Sequence, residues 1–360
     1  MVQNDNYGCK KESMKVIVIG EFGKERFASH ISQNILSLGH DVLEFEVRNG
    51  LKSSKSLLIQ KASNRFNSFF SNLSLGRNLL LNSLKKNIKN FEPDLIFVTY
   101  DYFTPFQVNE LKRTINSPII LWYPDALIRF NKAYFMNSNY DYLFFKDPYV
   151  VNTFKEILDS KVFYMPECFN EYAHLESSDF HLADYACDLT TAGNLHPYRV
   201  AFFKRLIDLN HSIKIWGYPA PSWLDTTKID KIFQNKPVLN SEKVAAFKAA
   251  KIVINNLHFS EIHGINVRAF EIAGSKSFQL IDYKKGLSDL FTDGVDIVSF
   301  DSIHDLKDKI NFYLGNENLR KKIAEAAYVT AHSRHTYKHR INLIFETIFQ
   351  NKIGYPSKLI

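Results

Sequence analysis

Residues 254–283 read INNLHFSEIHGINVRAFEIAGSKSFQLIDY, and the order of elements in this stretch settles the class of fold. A β-branched run ends at Ile254 and Asn255. A polar loop follows with His258, Glu261, His263 and Gly264, and helical spacing opens near Asn266. That helix carries Arg268 and Glu271 before a second apolar run at 277–281. Strand, helix and strand in close succession predict a βαβ unit, whose strands are parallel and whose helix covers one sheet face.

Outward from this unit the plan repeats. Apolar runs at 15–19, 41–46, 94–99, 118–122, 142–145 and 162–165 alternate with helical spacing such as 27–38 and 106–114. Further runs fall at 187–190, 212–215, 252–254, 277–281 and 296–299, with helical stretches at 197–209, 241–249 and 267–273 between them. Two such rounds predict an α/β protein of two doubly wound, Rossmann-like domains facing a cleft, since open sheets of this kind bind ligands at the carboxyl ends of their strands. The expected division is a polar tail at 1–13, a first domain at 14–167, a second at 168–335, and a terminal segment at 336–360 crossing back to the first. The connector at 166–178 holds Pro166, Asn170, Ser177 and Ser178 and no sustained period. The long helical stretch at 317–349 is expected to bend around His332–Arg334.

The totals narrow the class further. The 360 residues are 45% hydrophobic and 23% charged, as in a globular chain. No run approaches the ~18 uninterrupted apolar residues of a membrane span. Three cysteines (Cys9, Cys168, Cys187) lack metal-ligand spacing, which suits a reduced, cytoplasmic protein. The net charge of +7 suits phosphate-bearing small molecules, anionic lipid surfaces and nucleic acid alike. Residues 52–90 place Lys52, Lys55, Lys61, Arg65, Arg77, Lys85, Lys86 and Lys89 among many Leu and Phe. Such a stretch is either a core-packed helix with a solvated basic face or a peripheral contact with an anionic membrane.

Two loops are candidate anion cradles. In the first, Gly264, Ile265 and Asn266 lead into a helix whose free amides and dipole favour an anion, and Arg268 adds a bidentate donor from the first turn. Glu271 lies three residues on and nearly on the same face, where a carboxylate can accept both hydroxyls of a ribose. The duller alternative is an Arg268–Glu271 surface ion pair. In the second, Gly193 and Asn194 follow a strand and Arg199 projects from the next helix. Trp216, Gly217 and Tyr218 end the following strand, placed either in the core or to stack on a base. In the first half, Asp101 and Asp125 follow strands and are candidate proton acceptors, with turn formation and helix capping as their plainer roles.

Five stretches carry a family resemblance: Tyr164–Asn170, Leu189–Asn194 with Pro197-Tyr198-Arg199, Ile215–Tyr218, and Asn255 with Asn266-x-Arg268-x-Phe270-Glu271, Gly274 and Asp282. Together they resemble the CgeB-like glycosyltransferases, relatives of the GT-B, family-4-type enzymes, across roughly 160–345. The resemblance implies a GT-B fold whose C-terminal domain holds a nucleotide-diphosphate sugar, with Glu271 at the second acidic position of a Glu-x7-Glu pattern, on the donor ribose. The first acidic position falls on His263, so His263, or neighbouring Glu261, is the expected group beside the donor sugar. This departure leaves retention of anomeric configuration, the outcome the pattern favours, open to question.

The resulting expectation is a metal-independent glycosyltransferase without a resident cofactor, using a nucleotide sugar as donor. Its acceptor would be a glycan, lipid-linked or protein hydroxyl. The alternatives are an inactive nucleotide-sugar-binding protein and a DNA-directed transferase, although no nucleic-acid-binding motif is evident and nucleic acid is not an expected partner.

Overall fold

The computed structural model describes residues 13–47, 74–126 and 132–360. The tail at 1–12 and the basic residues Lys52, Lys55, Lys61 and Arg65 lie outside the described residues.

The first sheet is built from β1 (Lys15–Gly20), β2 (Asp41–Glu46), β3 (Leu95–Val98), β4 (Ile119–Tyr123), β5 (Tyr142–Phe145) and β6 (Lys161–Tyr164), in the order β2-β1-β3-β4-β5-β6 and all parallel. Strands β3 and β4 are buried at every position, as LIFV and IILWY must be when helices cover both faces. Those helices are α1 (Phe27–Ser37), α2 (Ser74–Phe91), α3 (Pro105–Lys112) and α4 (Pro148–Ile157). Gly20 permits the close packing at the end of β1, where a Cβ would lie 2.5 Å from both the Ala28 Cβ of α1 and the Thr99 hydroxyl.

The second sheet contains β7 (Cys187–Ala192), β8 (Ile213–Trp216), β9 (Ala250–Asn255), β10 (Gln279–Asp282) and β11 (Val298–Phe300), parallel and ordered β11-β10-β9-β7-β8. Its helices are α5 (Leu182–Tyr185), α6 (Pro197–Lys204), α7 (Asn240–Ala249), α8 (Val267–Gly274), α9 (Ile303–Leu314) and α10 (Glu317–Arg334). The stretch expected as one helix at 197–209 ends at Lys204 and resumes as a short 3-10 turn, Ile207–Leu209.

The chain returns to the first domain through α11 (Tyr337–Phe349), separated from α10 by His335 and Thr336. Thr336 caps α11 in a reciprocal box with His339. Ile341, Ile344, Phe345 and Ile348 of α11 share one buried cluster with Ile31 and Ile35 of α1. At roughly 1.5–3 kcal/mol per buried large apolar side chain, this face is a major tie between the chain's end and its beginning. The connector between the sheets is held here too, because Arg340 donates from Nε to the Pro166 carbonyl at 2.9 Å and Phe169 N–H donates to the His335 carbonyl at 3.1 Å. Cys168 and Cys187 are buried free thiols. Among the described residues no helix is long and apolar enough to cross a membrane.

Candidate functional site

In each sheet the strand order reverses once, between β1 and β3 in the first and between β7 and β9 in the second. Loops leaving neighbouring strands part in opposite directions at such a point and open a crevice. Residues from both points, including Glu21 and Tyr100 on one side and Gly193 and Asn194 on the other, line a single cleft of about 1140 Å³.

Arg199 and Arg268 meet at the second of these points. Gly193, with φ +135°, lies against both, and a Cβ on it would come within 2.5 Å of Arg268 Nη2 and 2.7 Å of Arg199 Nη1. Arg199 is buried and donates to the Asn194 carbonyl at 2.7 Å and to Asn256 Oδ1 at 3.2 Å. Arg268 donates to Asn255 Oδ1 at 3.3 Å. Neither guanidinium forms an ion pair with a carboxylate among the described residues. Burial holds both below the usual arginine range, Arg268 at about 10, and Arg268 depresses Arg199 further by repulsion. Arg268 lines the cleft, whereas Arg199 lies behind Gly193 and Asn194 and is not among the lining residues.

Glu271 also lines the cleft, but it is already engaged. Its Oε1 lies 2.9 Å from Lys243 Nζ and 3.3 Å from His174 Nε2. Lys243 also pairs with Glu25, from the loop before α1, and Glu25 accepts the Asn240 N–H at 2.6 Å. This four-residue cluster therefore joins the two domains and the connector. Burial opposes ionisation of both carboxyls. The His174 hydrogen bond and Lys243 nevertheless bring Glu25 down to about 2, and Lys243 and His174 bring Glu271 well below the usual carboxylate range. Burial lowers His174, and the carboxyls of Glu25 and Glu271, 3.5 and 3.3 Å from its Nε2, more than restore it, so its pKa is raised. Glu25, His174 and Glu271 offer ligand atoms within 4.8 Å of one another, as a metal site would. The Lys243 ammonium, paired with both carboxylates, already supplies the cation.

The loop at 256–266 was expected to wrap a diphosphate and present a side chain to the sugar. Instead it is fastened to the first domain. Asp147, the N-cap of α4, accepts the N–H groups of Ile262 at 3.0 Å and His263 at 3.1 Å. His263 packs edge-on to Tyr149 and is absent from the cleft lining. Glu261 is buried and paired with Lys146 at 2.7 Å, also outside the lining. Gly264 is required by a different neighbour from the one expected, because a Cβ there would lie 2.9 Å from the Lys146 carbonyl. Ile265 is core, and Asn266 caps α8 by accepting the Ala269 N–H at 3.2 Å while exchanging amide bonds with Asn255. Of this loop and the opening turn of α8, Val267 and Arg268 reach the cleft.

Trp216, Gly217 and Tyr218 line the cleft opposite Pro237, Val238 and Leu239. The indole is buried, donating to Thr190 Oγ1 at 3.1 Å, while Tyr218 is exposed at the rim. On the first-domain side, Asp101 lines the cleft, but its two oxygens accept the N–H groups of Tyr134 at 2.6 Å and Phe135 at 3.0 Å. Burial raises it to about 6 against those two bonds. Asp125 accepts a hydrogen bond from Tyr100, which with Tyr102, Tyr123 and Tyr134 forms an aromatic wall. Glu167, from the connector, completes the floor.

Glu25, Lys243, His174 and Lys146 were not picked out from the sequence, and Glu167 stood there only within the stretch Tyr164–Asn170, with no role assigned. The connector was passed over because it has no periodicity, and a lysine within helical spacing, such as Lys243, carries no signal until its partners are placed.

Residues 199–346 match the family described as glycosyl transferase-like. The chain is 27% identical over 191 residues to spore protein CgeB of Bacillus subtilis, covering 49% of this chain and 57% of that protein. It thus spans a little over half the length of this curated relative. In fold it is similar to sucrose-phosphate synthase from Thermosynechococcus elongatus (TM-score 0.70, 9% identity, 94% of this chain and 100% of that one). It is also similar to a glycosyltransferase from Rickettsia africae (TM-score 0.65, 14% identity, 94% and 100%). HepE of Anabaena in complex with UDP and glucose gives a TM-score of 0.63 at 13% identity, with 94% and 100% covered. The architecture is GT-B, and the resemblance to CgeB-like glycosyltransferases read from the five stretches is borne out.

Proposed function

We propose that this protein transfers a glycosyl group from a nucleoside diphosphate sugar to a hydroxyl of an acceptor. The single observation that carries this is the Arg199–Arg268 pair, two buried cations against the Gly193 backbone at a sheet's switch point, Arg268 in the cleft lining and Arg199 behind it, neither in an ion pair among the described residues. A diphosphate supplies the missing charge and, as leaving group, gains charge in the transition state where these donors already point. The base lies between Trp216–Tyr218 and Pro237–Leu239, and the ribose faces Glu271. HepE has been captured with UDP-glucose, in keeping with such a donor.

The acceptor occupies the tyrosine wall, a surface suited to the ring faces and hydroxyls of a glycan. Asp125 takes the proton of the attacking hydroxyl as the new C–O bond forms and the bond from the anomeric carbon to phosphate breaks. No metal and no resident cofactor are required, because the arginine pair neutralises the diphosphate and Lys243 already neutralises the carboxylate cluster.

The experiment is a thermal-shift screen against nucleoside diphosphate sugars, followed by nucleotide release in the presence of EDTA. A ligand at a hundred times its Kd stabilises by about 2.7 kcal/mol. No shift with any donor refutes the proposal, and binding without turnover identifies an inactive sugar-nucleotide receptor. Asp125→Asn should lower turnover by roughly 10²-fold or more. Turnover within about threefold would instead assign the proton to the departing phosphate, as in a retaining transfer.

A further inference from the structure

Among the described residues six carboxyl groups line the cleft, and most are already committed. Glu21 faces Arg26 at 3.3 Å, Glu25 and Glu271 share Lys243 and His174, and Asp101 accepts two backbone amides. Asp125 and Glu167 are held more loosely, Asp125 accepting from Tyr100 and Glu167 lying 3.4 Å from Lys146, and the two act on one another. Glu167 stands at the junction of the two halves, within electrostatic reach of Arg268 on one side and of Asp125 and Tyr100 on the other. It is also rigidly placed, since Arg340 donates to the carbonyls of Pro166 and Glu167 on the backbone that carries it.

We propose that Glu167 contacts the transferred glycosyl group as a hydrogen-bond donor, between the guanidinium pair and Asp125. This rests on the donor-site proposal above and names the residue that recognises the sugar.

The charges around Glu167 explain why it donates. Two cations act on it, Lys146 and Arg268. Lys146 lies 3.4 Å from Glu167 and 2.7 Å from Glu261, so its single charge is divided between two carboxyl groups. Arg268 faces the diphosphate. The anions Glu261 and Asp125 disfavour a further negative charge at Glu167, and the buried Tyr337 and Cys168 beside it stay neutral because burial raises both. One buried ammonium serves three carboxyl groups, which cannot all ionise without excess negative charge, and Glu167, disfavoured as an anion by burial and by both neighbouring carboxyls, keeps its proton. Burial raises Glu167 to about 8, opposed by Lys146 and reinforced by Glu261 and Asp125. In the acid form it offers an O–H to a sugar oxygen and adds no negative charge beside the incoming diphosphate. An ionised Glu167 would compete with that diphosphate for Arg268.

The test separates the sugar from the nucleotide. UDP and UDP-glucose affinities are measured by calorimetry near neutral pH and at about pH 9.5, on the wild type, Glu167→Gln and Glu167→Ala. The ratio of the two dissociation constants isolates the sugar's share. In the wild type that ratio should fall by about 5- to 10-fold at the higher pH, the scale of one hydrogen bond. Glu167→Gln keeps an N–H donor at every pH, so its ratio should stay at the wild-type neutral value within about twofold. Glu167→Ala should show the reduced ratio at both pH values. A wild-type ratio indifferent to pH, or a normal ratio in Glu167→Ala, overturns the assignment. Failure of the wild type to bind UDP overturns the donor site beneath it, a distinct result. Thermal midpoints of both variants establish that each is folded.

Discussion

Replacing Arg268 by Met should weaken UDP binding without weakening the empty protein. The geometry that sets the magnitude is the convergence of two guanidiniums on Gly193 with only amide and carbonyl partners. A hydrogen bond to a charged group contributes about 1.5–3 kcal/mol, so each lost guanidinium contact costs about 10- to 150-fold in affinity. In the empty protein the balance runs the other way. Arg268 is desolvated and repels Arg199, so methionine relieves that repulsion and leaves no carboxylate unpaired. The thermal midpoint of Arg268→Met should therefore equal or exceed that of the wild type. Arg199→Met should behave alike, and the double variant should lose more affinity than the sum, because in each single variant the remaining cation is easier to keep charged once its neighbour is gone. Calorimetry with UDP and a thermal melt of the empty protein read both quantities. A midpoint lower by more than about 3–4 °C, roughly 2–3 kcal/mol for a chain of this size, together with unchanged UDP affinity, would show the pair to be structural.

Three further outcomes follow from the same geometry. Glu271→Gln leaves Lys243 and His174 with Glu25 as their one carboxylate in the cluster and should destabilise the fold by about 1.5–3 kcal/mol in a thermal or urea melt, whereas a melt unchanged from wild type would mean Glu271 is not clamped. His263→Ala should keep turnover within about threefold, since the ring lies against Tyr149 rather than in the cleft; a loss of roughly 10²-fold, the scale of an acid–base or oriented polar group, would restore it as a sugar contact. The carboxyls of Glu25 and Glu271 raise His174 against burial, so its contribution is complete below the ordinary value of 6.5 and lost as pH rises through its raised folded value. Melts of the wild type and His174→Gln across that range should converge on the alkaline side, and a constant gap would contradict the assignment. His30 runs the opposite way: burial and His174 lower it to about 4, so its contribution is lost on acidification and leaves the alkaline comparison clean.

Much of the fold was legible in the linear sequence, and for a local reason. KVIVIG, LIFV and IILWY are apolar at nearly every position because parallel strands are covered on both faces, and each is followed by helical spacing that announces the cover. The bend near residue 335 was visible as a polar interruption. Asn266-x-Arg268-x-Phe270-Glu271 could be placed on a helix start because capping and side-chain phase depend on neighbours a few residues away. Its partner Arg199 could be placed the same way.

What the side chains of the loop do was decided only by the tertiary structure. His263 and Glu261 sit two residues apart in a polar loop, and nothing local states that Asp147 and Lys146, more than a hundred residues earlier, take hold of it. The same holds for Glu25, Lys243, His174 and Glu271, which come from four separated segments and acquire meaning only as a balanced charge cluster. Glu167 lies in an aperiodic connector, and its environment is supplied by β4, β5, α8 and α11 together. Local spacing reports on backbone conformation and on which face is buried. A carboxyl group's state and its partners depend on charge and burial summed over space, and that sum exists only once the two sheets have met across the cleft.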